Sequence, residues 1–351
     1  MPKLVVSAVG PATSVQDAGR FGAQRYGLTQ SGAMDALALA CANALAGNPP
    51  FTAAIEVGPL GGTFTARGGA LRIGLSGATR QASVGAQQVS LNESVLLVDG
   101  ESLTLAPART GSFTYLALEG GVQGEPVFGS LSVNMRSGLG SPYPRPLQAG
   151  DQFEVPVAKP LAQERRLELP AASEQPIRLV LGPQDDEFTD EARELFLNAE
   201  WTLSAASDRM GFRLEGPVIR HTNGHNIVSD GTVSGSIQIP GNGQPLVLMP
   251  DRGTTGGYPK IATVIGPDIA RMAQTQVGKT IRFRAITISE AHAEAHRYAR
   301  LLASLPSLLR DAGGSALNLD ALQSANIAGA AVSAVDAMTW QPLTGSDAPT
   351  P

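Results

Sequence analysis

At 351 residues the chain is long enough for two domains or one large one, and ample for a sizeable core. A hydrophobic content of 42% is that of an ordinary globular protein, and a net charge of −5 argues against a general nucleic-acid binder. The single cysteine, Cys41, excludes an internal disulfide, and no run approaches the roughly 18 apolar residues of a membrane span. A cytoplasmic protein with no membrane or nucleic-acid partner is therefore expected. The 40 Gly and 25 Pro are high and suit many short strands joined by turns, so the expected fold class is mainly β.

In chain order, residues 3–9 read as a strand that Gly10-Pro11 ends. A polar, glycine-rich stretch follows from Thr13 to Gly22. Ser31 reads as an N-cap; Met34, Leu37, Ala38, Cys41 and Leu45 then recur at helical spacing until Gly47-Asn48-Pro49 stops the helix. Its apolar stripe predicts core packing, and a buried Cys41 is a poor nucleophile. From 54 to 155 short strands alternate with turns. Leu71, Ile73 and Leu75 show period two, whereas Tyr115-Leu116-Ala117-Leu118 reads as buried on both faces. Residues 129–146 are an irregular excursion carrying Arg136 and Arg145. Pro156, Pro160, Pro170 and Pro176 surround a charged segment, which predicts a linker over 157–176 between a first β unit, 1–156, and a second, 177–288. A short helix is expected over 190–197. Helices are expected over 289–310 and 319–338, within a helical region 289–340, before a flexible tail, 341–351.

Within the second unit, Leu246-Val247-Leu248-Met249 and Ile261-Ala262-Thr263-Val264-Ile265 read as buried strands. Between them Asp251 to Lys260 has no aliphatic side chain. It has two cations, a carboxylate, two hydroxyls and the pair Gly256-Gly257, and reads as a long hairpin turn or a ligand loop. Leu103 to Arg109 and Leu246 to Arg252 share the pattern L-x-L-x-P-x-R, and Gly150 to Phe153 matches Gly278 to Ile281 in the same order, which favours two related β units. On this reading the second unit has elaborated a hairpin of the first.

Three other patterns fail. Gly278-Lys279-Thr280 lacks the earlier P-loop glycine, Ala273 standing in its place, and a strand rather than a helix follows it. The pairs His221/His225 and His292/His296 lack a third ligand, so no metal site is assigned. Neither is a Ser–His–Asp triad identifiable.

The polar stretches resemble a known family. They are Thr13 to Arg20, Ser31 to Asp35 with Ala42-Asn43 and Gly47-Asn48, Ser207 to Gly211, Gly235 to Pro240 and Thr254 to Ala262. The resemblance is to carboxyltransferase-like proteins, which include the C-type subunit of bacterial 5-oxoprolinase, the kinase-inhibitor antagonist KipA and the carboxyltransferase part of urea carboxylase. Gly253 and Ala18 depart from the glutamine and leucine usual there. The resemblance implies two related cyclophilin-like β-barrel subdomains with a few helices and a helical C-terminal region.

It also implies work with a smaller, KipI-like partner and a third 5-oxoprolinase component, on a small-molecule substrate: ATP hydrolysis would drive opening of 5-oxo-L-proline to L-glutamate. The alternatives are a biotin-dependent carboxyltransferase and a non-enzymatic regulator that binds a kinase inhibitor. None of the four lysines is flanked by methionines, so biotin would arrive on another protein. Under the leading reading Arg252, Lys260 and the Gly256 and Gly257 amides are candidates to hold a carboxylate or phosphoryl group, which Thr254 and Thr255 would orient. Asp251 or Asp17 would activate water, and Lys260 is counted with them as catalytic. Arg20, Ser31, Asp35, Arg209, Gln238 and Tyr258 complete the expected ligand-binding set.

Overall fold

The structure, a computed structural model, describes residues 1–159, 163–170 and 175–312, all within one compact unit, Met1–Ala312. The protein is mainly β. Two antiparallel sheets are formed by its first half, with one edge strand supplied by residues 309–311. One has six strands in the order Gln152–Glu154, Lys3–Val9, Gly62–Arg67, Ser102–Leu105, Ala82–Val84 and Gln87–Val89. The other has seven, in the order Ser14–Gln16, Ala54–Val57, Thr110–Leu118, Leu71–Thr79, Glu93–Leu97, Arg165–Leu167 and Leu309–Asp311. A core including Leu4, Phe64, Ile73, Leu103, Leu116 and Phe153 joins residues of both sheets.

The second half is a nearly closed, barrel-like sheet of eight strands. Its order is Thr280–Ile281, Trp201–Leu203, Gly211–Glu215, Leu246–Leu248, Ser236–Gln238, Lys260–Val264, Ile177–Leu181 and Phe283–Ala285. Helix α1 is Ala36–Ala46, α2 Asp190–Asn198, α3 Gly266–Ala273 and α4 Ile288–Ser304.

The continuously apolar strand Thr110–Leu118 explains how the halves join. Alternate side chains of a strand point to opposite faces. Leu116 and Leu118 enter the first core, while Phe113, Tyr115 and Ala117 enter a second core with Trp201, Phe212, Val247 and Met249. Ala54 and Ile55 divide in the same way. Helix α1 is buried from Ala38 to Ala46. Met34, Leu39 and Ala42 face the second core, and Cys41 and Leu45 a third cluster with Leu167 and Leu305.

Five expectations change. The helix expected over 289–310 ends at Ser304, because Leu309–Asp311 is drawn into pairing with Arg165–Leu167 as a strand. Asp35, not Ser31, caps α1: its carboxylate accepts from Ala38 N at 2.9 Å, whereas Ser31 sits at φ +53° and donates its amide to Pro250 O at 3.0 Å. The strands flanking Asp251–Lys260 do not form a hairpin, because Ser236–Gln238 lies between them in the sheet. The L-x-L-x-P-x-R matches occupy different connections: Ser102–Leu105 and Thr110–Leu118 belong to different sheets, Leu246–Leu248 and Lys260–Val264 to one. Finally, the proline-rich stretch is more than a connector, since Arg165–Leu167 pairs with strands on both sides. The expected helix 319–338 and tail 341–351 lie outside the described residues.

Candidate functional site

The junction of the halves is organised by a buried ionic network. Strand alternation puts Glu56 on the face opposite Ile55, and the register sets it directly across from Tyr115. The Tyr115 hydroxyl donates to Glu56 Oε2 at 2.5 Å, and Met34 N donates to the same oxygen at 2.8 Å. Arg209 reaches this carboxylate from the second half, its Nη1 donating to Glu56 Oε1 at 2.5 Å. Its Nε donates to Asp251 Oδ2 at 2.9 Å, and its Nη2 to Gly32 O at 2.6 Å and Asp251 Oδ1 at 3.3 Å. The guanidinium fork is thus shared by two carboxylates and a carbonyl, the geometry that makes arginine fit for buried pairing.

The protonation of this network follows its burial and charges. Burial pulls the Arg209 guanidinium down, but Glu56 and Asp251 more than offset this and leave it above its ordinary value. Burial, reinforced by the Glu56 carboxylate, pushes the Tyr115 phenol well up, so it remains a donor. Burial also raises the Asp35 carboxyl, although Ala38 N and Gln274 Nε2, at 2.8 Å, both donate to it.

A cavity of about 360 Å³ opens beside this network, within the range of small-ligand sites. Asp251 and Arg209 line it together with apolar side chains of both halves: Pro59, Phe113 and Met135 from the first, Leu203, Met210 and Phe212 from the second. Of the expected site residues, Asp251 and Arg209 are those that line this space.

The rest of the polar loop is placed otherwise. Lys260 is buried and donates through Nζ to Asp230 Oδ2 at 2.7 Å; this contact holds Asp230 below the usual carboxylate range. Thr255–Gly256 pairs with Asp230–Gly231 as a short ribbon, and Ile227 N donates to Gly257 O at 2.9 Å. Gly256 lies against the Gln238 amide, whose Nε2 donates to Tyr258 O at 3.5 Å; the Tyr258 side chain is exposed. Arg252 is buried among neutral acceptors. It donates to Ser234 Oγ at 2.9 Å, Gln24 Oε1 at 3.2 Å and Thr232 O at 3.4 Å, and burial lowers its pKa. The Thr254 carbonyl accepts from Thr232 N at 3.1 Å and Gln24 Nε2 at 3.2 Å.

The first polar stretch, Thr13 to Asp35, meets this loop. Besides the Ser31–Pro250 bond, Thr29 Oγ1 donates to Pro250 O at 2.9 Å. Gly32, at φ +96°, must be glycine there, because a Cβ would sit 2.9 Å from Ala18 O. Asp17 folds its own neighbourhood: it accepts from Gly19 N at 2.8 Å, Ser130 Oγ at 2.6 Å, Leu131 N at 2.7 Å and Ser132 Oγ at 2.5 Å. Arg20 is buried, donates to Ser132 O, and is lowered by burial against the pull of Asp17 and Asp251. Ser31 Oγ accepts from Asn134 Nδ2 at 3.1 Å. Asp17 and Ser31 line a second cavity, of about 440 Å³, with Ser234 and Pro250.

Sequence reasoning missed Glu56, Tyr115, Gln24, Asp230 and Gln274. One signal was available: Glu56 is a lone carboxylate in the apolar run Ala53-Ala54-Ile55-Glu56-Val57, where a charge has to find a partner. Among the described residues no group of three or more His, Cys, Asp or Glu forms a metal-binding cluster, and no helix is long and apolar enough to cross a membrane.

Comparison with known proteins gives this geometry a context. A family model described as carboxyltransferase domain, subdomain A and B, matches residues 26–285. The C-type subunit of 5-oxoprolinase from Escherichia coli (strain K12) is 35% identical over 290 residues, which cover 82% of this chain and 93% of that protein. The crystal structure of TTHA0988 superposes with a TM-score of 0.73 at 32% identity, covering 81% of this chain and 55% of that one. The K. lactis urea amidolyase structure superposes with a TM-score of 0.80 at 26% identity, covering 86% of this chain and 20% of that one. The chain therefore spans only part of each of these two solved proteins, but nearly the whole of the E. coli protein.

Proposed function

Because this chain belongs to the family of carboxyltransferase domains with subdomains A and B, we propose that it is the C-type subunit of a multi-subunit, ATP-dependent 5-oxoprolinase. The observation that carries this reading is the end-to-end correspondence with the E. coli protein, 93% of whose length is matched, against 20% of the urea amidolyase. The bacterial relative is named as one subunit of its enzyme, and partner subunits follow from that word.

The chemistry agrees with the junction. A lactam is a poor electrophile; phosphorylation of its oxygen by ATP, with release of ADP, would activate the ring carbon. A first water would add there and the C–N bond would break to give an acyl phosphate with a free amine, and a second water would release phosphate and leave L-glutamate. Asp251, which lines the cavity and is held by Arg209, would on this reading take a proton from the first of these waters. The apolar side chains lining the cavity would make the surroundings of Asp251 and Arg209 less polar than water and so strengthen their charges. Lys260 and Arg252 do not line this cavity, and on this reading they hold the 251–260 loop in place.

A second reading, a biotin-dependent carboxyltransferase whose biotin arrives on another protein, is favoured by the TM-score of 0.80 with the urea amidolyase. Two assays separate them. The purified chain, candidate partner subunits, ATP and 5-oxoproline should together yield glutamate and ADP. Carboxyl transfer from free carboxybiotin, with no glutamate from the complete mixture, would assign the chain to the second.

A further inference from the structure

We propose that Arg136 takes the carboxylate of the ligand bound in the junction cavity. The identity of that ligand, 5-oxoproline, rests on the reading of the chain as part of a 5-oxoprolinase; the existence of a carboxylate site does not. Two cations line the cavity, Arg136 and Arg209. Arg209 is occupied by Glu56, Asp251 and Gly32 O. Arg136 is different. It comes from the irregular segment 129–146, whose other arginine, Arg145, is neutralised by Asp151 at 2.8 Å through both Nη atoms. Arg136 forms no ion pair among the described residues. Among the described residues its one hydrogen bond runs from Nη1 to the thioether of Met210 at 3.3 Å, a weak acceptor. It is exposed, so its guanidinium is open to a ligand entering the cavity.

The surroundings fit a small ring with a charged end. Phe113, Met135, Met210 and Pro59 offer apolar surface for the ring. Asp208, also lining the cavity, accepts Met210 N at 2.8 Å and Gly211 N at 3.1 Å through Oδ1 and forms no ion pair among the described residues, which leaves its other oxygen for a ring N–H. A carboxylate on Arg136 makes the charge-assisted, two-pronged contact for which a guanidinium is suited, and Asp251, already held by Arg209, takes no part in it.

The test is steady-state turnover by the complete mixture of subunits. Arg136→Gln should raise KM for 5-oxoproline by ~10–100-fold, with a smaller change in kcat, as expected for loss of one charge-assisted contact. Arg136→Lys should restore part of the loss. 2-Pyrrolidinone, the same ring without the carboxylate, should inhibit wild type and Arg136→Gln equally weakly. An unchanged KM, or a 2-pyrrolidinone inhibition that depends on Arg136, would overturn the proposal even if glutamate forms. If the mixture forms no glutamate, the 5-oxoprolinase reading fails separately, and binding of 5-oxoproline to this chain is read by ligand-detected NMR. Binding lost in Arg136→Gln sustains the carboxylate site; binding absent from wild type, or unaffected by the substitution, removes it.

Discussion

Arg209 holds two carboxylates from opposite halves, so its removal would leave Glu56 and Asp251 buried without their ion-pair partner. Breaking a buried pair on one side costs about 3–5 kcal/mol, and Arg209→Ala should therefore lower the urea midpoint markedly. Arg209→Lys should not rescue it, because an ammonium cannot span Glu56, Asp251 and Gly32 O as the fork does. An unshifted midpoint would remove this network from the stability of the junction. Cys41 gives a second residue-scale prediction. Burial pushes its thiol up to about 12, so it should resist alkylation at pH 8 in the native protein and react readily in denaturant. Native reactivity equal to that of a free thiol would show that α1 opens. At this scale sequence reading is uneven. Asp251 and Arg209 stand out in polar motifs, whereas Glu56 and Tyr115 acquire their roles only from strand register, which pairs residues 59 positions apart.

Among the elements, α1 and the 251–260 loop show opposite ways in which local pattern can mislead. The extent of α1 follows from its apolar spacing and from Gly47, but its N-cap is settled by tertiary contact: Ser31 is drawn to Pro250 and Asp35 takes the cap. The helix lies so close to the strand Leu71–Thr79 that a Cβ at Gly74 would overlap the Ala42 carbonyl oxygen. Gly74→Ala should accordingly destabilise the fold by about 1–3 kcal/mol through overpacking, measured by chemical denaturation; a neutral effect would mean that the helix can move away. The 251–260 loop reads as a hairpin because its flanks are apolar and adjacent in sequence, yet a strand from residues 236–238 separates them. Its tie is Lys260 to Asp230. Since Asp230 titrates below the usual carboxylate range, this tie stabilises the ribbon above about pH 4 and is lost as pH falls through the lowered value. The protection factors for amide exchange at Thr255 and Gly256 should fall in that window in wild type. In Asp230→Asn they should be low already at neutral pH; equal protection in the two proteins would assign the loop's order to other contacts.

For the molecule as a whole, composition and punctuation make the mainly β class readable, and the order of polar motifs makes the family readable. The joining of the halves is not, because Thr110–Leu118 serves two cores at once and its sequence shows only that both faces are apolar. Nor does spacing along the chain reveal the split of the expected site into a junction cavity with Asp251 and a separate Lys260–Asp230 tie. The assignment to a 5-oxoprolinase complex is tested most directly by an omission assay. Partner subunits, ATP and 5-oxoproline should form glutamate and ADP in step when this chain is present, and neither above background when it is left out. Glutamate formed at an undiminished rate without the chain, or no glutamate with every component present, would contradict the account.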